Sequence, residues 1–88
     1  MSRKLKYIIT LDEALIDQLE CEFQNHEKVS STDQDSGFWY TNGETGPEWF
    51  TVHVHFLEKD HEAVKSHIES CLSKAGTSAR LILERDYS

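Results

Sequence analysis

The sequence lacks the short motifs that identify most small enzymes and metal-binding domains. Its two cysteines, Cys21 and Cys71, are fifty residues apart and form no CxxC pair, so neither a disulfide framework nor a zinc site is supported. The four glycines match no phosphate-binding loop or dinucleotide fingerprint, and there is no Gly-x-Ser-x-Gly element. We therefore assign no catalytic residue and expect a protein that is not an enzyme.

Long apolar runs are also missing. No stretch approaches the roughly 18 residues that a membrane-spanning helix needs. The basic start of the chain is followed by only the five residues 7–11 before Asp12 and Glu13, which is too short for the apolar region of a secretory signal. We therefore expect a cytoplasmic protein with no membrane partner.

Basic residues are few. Nine Lys and Arg stand against sixteen Asp and Glu, for a formal net charge of −7, which argues against duplex nucleic acid as a partner because such binding neutralises phosphates with Lys and Arg. Residues 12–62 contain thirteen acids and two bases, whereas the rest of the chain contains three acids and seven bases. This asymmetry predicts an acidic surface that attracts a basic protein partner.

The 88 residues, of which 38% are hydrophobic, fit a single domain over residues 1–88. Alternating apolar residues predict strands and a 3.6-residue repeat predicts helices. The predicted elements are strand 5–11, helix 13–25, a long polar loop at about 26–37, strand 38–41, a turn over 42–48, strand 49–57, helix 61–75, strand 79–85 and a frayed tail at about 86–88. Residues 29–32 could add a short edge strand.

Three signals place the ends of the helices. Thr10 and Glu13 have the spacing of a capping box at the start of the first helix. Asp60 is a candidate N-cap for the second helix, and Gly76 suits the left-handed conformation that follows many helices.

The predicted order is therefore β-α-β-β-α-β. Two right-handed strand-helix-strand units place both helices on one face of a four-stranded antiparallel sheet. This is the ferredoxin-like α+β sandwich, and it leaves the second sheet face open.

His53 and His55 are two residues apart on the clearest predicted strand, so both side chains point to the open face. Two such imidazoles can hold a metal or act as an acid and base, and Glu84 could supply a third ligand if the strand register permits. The preferred interpretation is two histidines on a half-exposed sheet face. We therefore assign no metal ligand and no cofactor.

Aromatic residues lie next to the acids around the predicted turn, a composition typical of protein interfaces. The predicted partner-binding residues are Asp33, Asp35, Trp39, Glu44, Glu48, Trp49, His53 and His55. The leading hypothesis is an acidic protein-binding module, of the kind found in immunity proteins and antitoxins that block a basic partner such as a nuclease. The alternative is a homodimer through the open sheet face, with a small-ligand or catalytic cavity near His53 and His55.

Overall fold

The order of the elements along the chain agrees with the sequence prediction. The computed structural model describes residues 3–41 and 43–86, with the backbone alone at 38–41 and 45–48. The elements are β1 (Lys4–Thr10), α1 (Glu13–Gln24), β2 (Val29–Thr41), β3 (Glu44–Leu57), a 3₁₀ turn (Glu58–Asp60), α2 (His61–Lys74) and β4 (Leu81–Arg85).

The four strands form one antiparallel sheet in the order β2-β3-β1-β4. Helix α1 connects β1 to β2 and helix α2 connects β3 to β4, and neither pair of strands is adjacent in the sheet. The two helices bury their apolar stripes in one cluster with the sheet. The ferredoxin-like α+β fold is therefore confirmed.

Alternation along the central strands separates the core from the open face. Every second residue of β1 from Leu5 to Ile9 and of β3 from Val52 to Phe56 is buried against the helices, together with one stripe from each helix. The fully buried side chains are Ile9, Leu19, Phe23, Val52, Val54, Phe56, Val64 and Ile68. The intervening residues of β1 and β3, among them His53 and His55, lie on the opposite face of the sheet.

The loop predicted over 26–37 is wrong for most of its length, since β2 begins at Val29 and pairs with β3 as far as Thr41. The segment is polar because β2 is the outer strand and most of its side chains from Ser30 to Ser36 are exposed. Backbone pairing with β3, rather than apolar burial, gives this segment its strand conformation.

The turn predicted over 42–48 is also too long. Strand β3 resumes at Glu44, directly after Gly43, whose φ of +80° is easily adopted only by glycine. Gly43 therefore precedes β3 in a short connection from β2, which ends at Thr41.

The predicted helix ends are partly confirmed. α1 begins at Glu13 with Asp12, not Thr10, as the N-cap residue, so the predicted capping box is wrong. Asp60 is the N-cap residue of α2 as predicted, although its side chain makes no capping hydrogen bond. Gly76 has a φ of +70° just after α2, as expected for a residue that ends a helix.

The frayed tail predicted from residue 86 is wrong at Asp86. Its backbone N–H donates to the Lys4 carbonyl at 3.0 Å, which continues the pairing of β4 with β1. Among the described helices, none has the length and apolar character needed to cross a membrane.

Candidate functional site

His53 and His55 lie at the centre of the open sheet face. Their strand, β3, runs between β1 and β2, so each histidine has a neighbour on both sides. His53 pairs with Ile8 on β1 and Asp33 on β2, and His55 is opposite Lys6 on β1. The strand register therefore delivers one carboxylate from β2 to the two imidazoles.

Asp33 contacts both histidines with its two carboxylate oxygens. Its Oδ1 lies 3.5 Å from His53 Nδ1, and its Oδ2 lies 2.7 Å from His55 Nε2. The imidazoles are less than one-fifth exposed, whereas the Asp33 side chain is 56% exposed. The two imidazoles are therefore packed against the sheet, and the cluster is open to solvent at the Asp33 carboxylate.

A second carboxylate holds the other side of His55. Asp86, one residue beyond β4, places Oδ2 2.6 Å from His55 Nδ1, and its side chain is only 8% exposed. His55 thus lies between two acids, one at each ring nitrogen. Both contacts have the short distances of charge-assisted hydrogen bonds.

The two acids change the ionisation of His55. Burial of the ring lowers its pKa, but the hydrogen bonds and negative charges of Asp86 and Asp33 together outweigh that effect and raise the pKa above its ordinary value. Without a metal ion, the site therefore favours an imidazolium whose two N–H groups donate to the two carboxylates.

His53 is held more loosely than His55. Its Nε2 lies 3.4 Å from the hydroxyl of Thr51, and its Nδ1 faces Asp33. Nδ1–H can donate toward the carboxylate while Nε2 accepts from the hydroxyl, so a metal ion at Nδ1 would take the place of that proton.

The donor atoms match the dimensions of a metal site. One ligand atom from each of Asp33, His53 and His55 lies within 4.8 Å of the other two. In a tetrahedral zinc site with bonds near 2.0–2.1 Å, ligand atoms are about 3.3 Å apart. The 2.7 and 3.5 Å separations lie on either side of that value, each to a different Asp33 oxygen, so the side chains would rotate to bring three donors onto one ion.

Asp86 fits the role of an outer partner in this arrangement. Metal-binding histidines usually donate their second N–H to a carboxylate, which fixes the tautomer and raises the basicity of the ligating nitrogen. With Nδ1–H of His55 donated to Asp86, Nε2 is free to exchange its proton for a metal ion.

A cleft of about 430 Å³ opens beside the cluster. Its walls include two lysines and two serines in addition to the acids and histidines. The charged residues that line it are Lys4, Lys6, Asp33 and Asp86.

Among the other predicted partner-binding residues that the structure describes, Asp35 and Glu44 lie outside the cluster of Asp33, His53 and His55. Asp35 lies further along β2, opposite Thr51, and its carboxylate accepts from the Ser36 N–H at 2.9 Å. Glu44 is exposed at the start of β3. The side chains of Trp39 and Glu48 lie outside the described residues.

Trp49 packs across the sheet onto Gly37. Gly37 pairs with Trp49, and a Cβ at Gly37 would come within 2.3 Å of the indole Cζ2. The glycine therefore provides the surface on which the indole lies, which gives Trp49 a structural contact in addition to its predicted place in a partner surface.

The sequence does not predict that Asp33 and Asp86 contact the histidines. The sequence predicts a loop around Asp33 and a frayed tail at Asp86. Glu84, the candidate third ligand, pairs with Lys6, so β1 separates it from the histidines on β3. The available signal was the alternation of acids at residues 33 and 35, which matches the open-face positions of an edge strand.

The remaining histidines and Cys71 lie in other contacts. His67 Nε2 lies 2.8 Å from the Glu22 carbonyl oxygen, and its ring packs against His26 at 4.6 Å between centroids. Cys71 is a core residue, 6% exposed, as predicted. His61 Nε2 lies 2.5 Å from the hydroxyl of Tyr7.

The comparisons with known proteins give a fold and no family. No protein-family model matches the chain, and no curated protein matches it. Among solved structures, a DUF3240 family protein from Shewanella baltica is similar with a TM-score of 0.73 and 10% identity, over 100% of this chain and 94% of that one.

Two proteins described by their tolerance of divalent ions are also similar in structure. The divalent ion tolerance protein CutA1 from Ehrlichia chaffeensis has a TM-score of 0.67 and 5% identity, over 100% of this chain and 85% of that one. The periplasmic divalent cation tolerance protein CutA from Archaeoglobus fulgidus has a TM-score of 0.62 and 9% identity, over 97% and 85%. At these identities the likeness establishes that the chain has the ferredoxin-like fold of these proteins.

Proposed function

We propose that this protein is a small binding module for a divalent transition-metal cation, held by Asp33, His53 and His55 on the open sheet face. The observation that carries the proposal is the convergence of one carboxylate and two imidazoles from β2 and β3 within 4.8 Å. The description of two similar structures as divalent-ion tolerance proteins is consistent with this function.

The chemistry of the donors selects the class of metal. Imidazole nitrogen suits zinc, copper, nickel and iron, whereas magnesium and calcium prefer sites built from oxygen ligands. A site with two imidazoles and one carboxylate therefore favours late first-row divalent ions. Among these, intrinsic affinity is expected to be highest for copper.

The test is calorimetric titration of the chain with Zn²⁺, Ni²⁺ and Mg²⁺ at neutral pH. We expect one Zn²⁺ or Ni²⁺ per chain and no measurable heat with Mg²⁺. Removal of a carboxylate that only contacts a metal ligand costs roughly 10- to 100-fold in metal affinity. Asp33→Asn removes a direct ligand and should lower Zn²⁺ affinity by more than that.

Asp35→Asn is the matched control. Asp35 lies on the same strand and the same face, two residues from Asp33, so the two variants change the net charge equally. Equal loss in the two variants, or zinc binding that survives Asp33→Asn, would contradict the proposed site.

A basic protein partner is the second candidate function, and it involves a different surface. Gln34 Nε2 donates to Asp17 Oδ1 at 2.9 Å and to Glu20 Oε1 at 2.7 Å, which holds these two acids of α1 beside β2. An immunity- or antitoxin-type inhibitor is the narrower form of this hypothesis, and none of the solved structures named above is described in those terms.

Charge reversal tests the second candidate. Asp17→Lys should slow the association of the chain with a cationic peptide, measured by stopped flow at low salt, because steering depends on local charge. Glu69→Lys, on the exposed side of α2 outside the acid-rich segment, is the control with the same change in net charge. Equal effects of the two variants would count against a localised acidic surface.

A further inference from the structure

We propose that the metal-loaded site binds a small chelating oxyanion in the adjoining cleft, with Lys6 and Lys4 as its second anchor. This inference rests on the proposed metal site and names its ligand class. The observations that carry it are the cleft, the two lysines that line it and the number of protein ligands in the cluster.

The metal would have coordination positions left for an outside ligand. Three protein donors converge in the cluster, and sites with three protein ligands keep a fourth position for water or substrate. The exposed Asp33 carboxylate marks the side of the cluster that solvent reaches. A ligand that enters from the cleft therefore meets the open side of the metal.

The cleft becomes more positive when a divalent metal binds. Lys4 and Lys6 balance Asp33 and Asp86, so before a metal binds the lining carries at most the single charge of the His55 imidazolium. A divalent cation gives this region a formal charge of about +2, on a chain whose net charge is −7. The loaded cleft is therefore a local positive site and favours an anion.

Lys6 has the position of an anchor in this cleft. It lies directly across from His55 in the β1–β3 pairing, on the same face of the sheet, and it is half-buried. Lys4, two residues before Lys6 on β1, lies on the same face. An oxyanion bound to the metal can accept charge-assisted hydrogen bonds from these ammonium groups.

The size of the cleft sets the ligand class. A volume of about 430 Å³ lies in the range of small-molecule pockets and exceeds the space of a single water. Carboxylate and phosphate share the chemistry of a chelating oxyanion, so malonate and pyrophosphate serve as the two probes. Their relative affinities distinguish a dicarboxylate site from a phosphate site.

The experiment uses Co²⁺, whose absorption reports its coordination sphere. Co²⁺ is first titrated into the wild-type chain and into Lys6→Gln, Lys6→Arg and Lys65→Gln, and each probe is then titrated into the Co²⁺-saturated and the metal-free proteins at fixed ionic strength. We expect at least one probe to shift the Co²⁺ spectrum and to bind the loaded protein at least about 10-fold more tightly than the metal-free protein, the scale of one charge-assisted hydrogen bond to a charged group.

Lys6→Gln should weaken probe binding by about 3- to 10-fold while Co²⁺ affinity stays within about 2-fold. Lys6→Arg should retain probe binding, which shows that the charge rather than a folding defect is responsible. Lys65→Gln removes the same charge from the exposed side of α2 and should change neither affinity.

The outcomes separate this inference from the metal site itself. Co²⁺ binding without any effect of either probe, or a probe that strips the Co²⁺ from the protein, would overturn the oxyanion site and leave the metal site standing. Equal losses of probe affinity in Lys6→Gln and Lys65→Gln would also overturn the oxyanion site. If Co²⁺ does not bind, both proposals are wrong.

Discussion

Asp86 and His55 form a contact of 2.6 Å that joins the C-terminal end of the described chain to the centre of the sheet. Asp86 follows β4 and His55 lies on β3, with β1 between their strands. The contact fixes the orientation of the one imidazole that has a carboxylate at both nitrogens. It therefore links the position of β4 to the geometry of the proposed metal site.

The first prediction concerns this outer carboxylate. Asp86→Asn should lower Zn²⁺ affinity by about 10-fold, because the amide can still accept from Nδ1–H but no longer adds negative charge to the imidazole. Glu84→Gln, an exposed charge on β4, is the control with the same loss of charge. Calorimetry on both variants would contradict the role of Asp86 if they lose equal affinity.

The second prediction concerns the pH dependence of stability in the metal-free protein. His55 has a pKa raised above 6.5 in the folded chain, so its protonated form stabilises the fold fully below pH 6.5. That contribution is lost as the pH rises through the folded pKa. The free energy of unfolding of the wild type, relative to His55→Gln, should therefore fall with increasing pH above about 6.5.

Urea unfolding at several pH values with a chelator present measures this difference. His26→Gln is the control, because His26 lies away from the two acids and packs against His67. A wild-type advantage over His55→Gln that rises with pH would have the wrong sign and would contradict the paired imidazolium.

The third prediction concerns the packing of Trp49 on Gly37. Gly37→Ala places a methyl group 2.3 Å from the indole and should cost about 1–3 kcal/mol of unfolding free energy, the usual range for overpacking. The same substitution in a Trp49→Leu background should cost much less, since the indole is gone. Additive effects in the double variant, measured by urea unfolding, would show that the two residues do not interact.

The fourth prediction concerns the two thiols. Cys21 is exposed and Cys71 is buried. Burial and the nearby charge of Glu22 raise the pKa of Cys71, which reduces its thiolate fraction. With Ellman's reagent at neutral pH, Cys71→Ser should therefore retain the one fast-reacting thiol, whereas Cys21→Ser should react only on unfolding. Fast reaction in Cys21→Ser would contradict the buried position of Cys71.

Periodic apolar residues made the core of the fold predictable. The alternation in β1 and β3 and the stripes of α1 and α2 correctly separate the buried face from the open face. Gly76 correctly marks the end of α2. These features depend on local sequence patterns and on burial, which a single sequence carries.

The strand conformation of β2 and the positions of Asp33 and Asp86 depend on pairing between distant strands, which local sequence patterns do not encode. β2 is polar and gains its strand conformation by pairing with β3. Its sequence therefore predicts a loop around Asp33, and the third proposed ligand is not recognised from the sequence. Asp86 lies just beyond the last strand, where only the pairing of β4 with β1 places it near His55. The two histidines were therefore predictable as a pair, but the carboxylates that complete the cluster were not.

The most direct test of the metal site is anomalous diffraction from crystals of the chain grown with Zn²⁺, recorded on both sides of the zinc absorption edge. The account predicts a dominant anomalous peak bonded to His53 Nδ1, His55 Nε2 and an oxygen of Asp33, at about 2.0–2.2 Å. A dominant peak elsewhere, for example beside His26, His67 and Cys71, or no peak within bonding distance of Asp33, would contradict it.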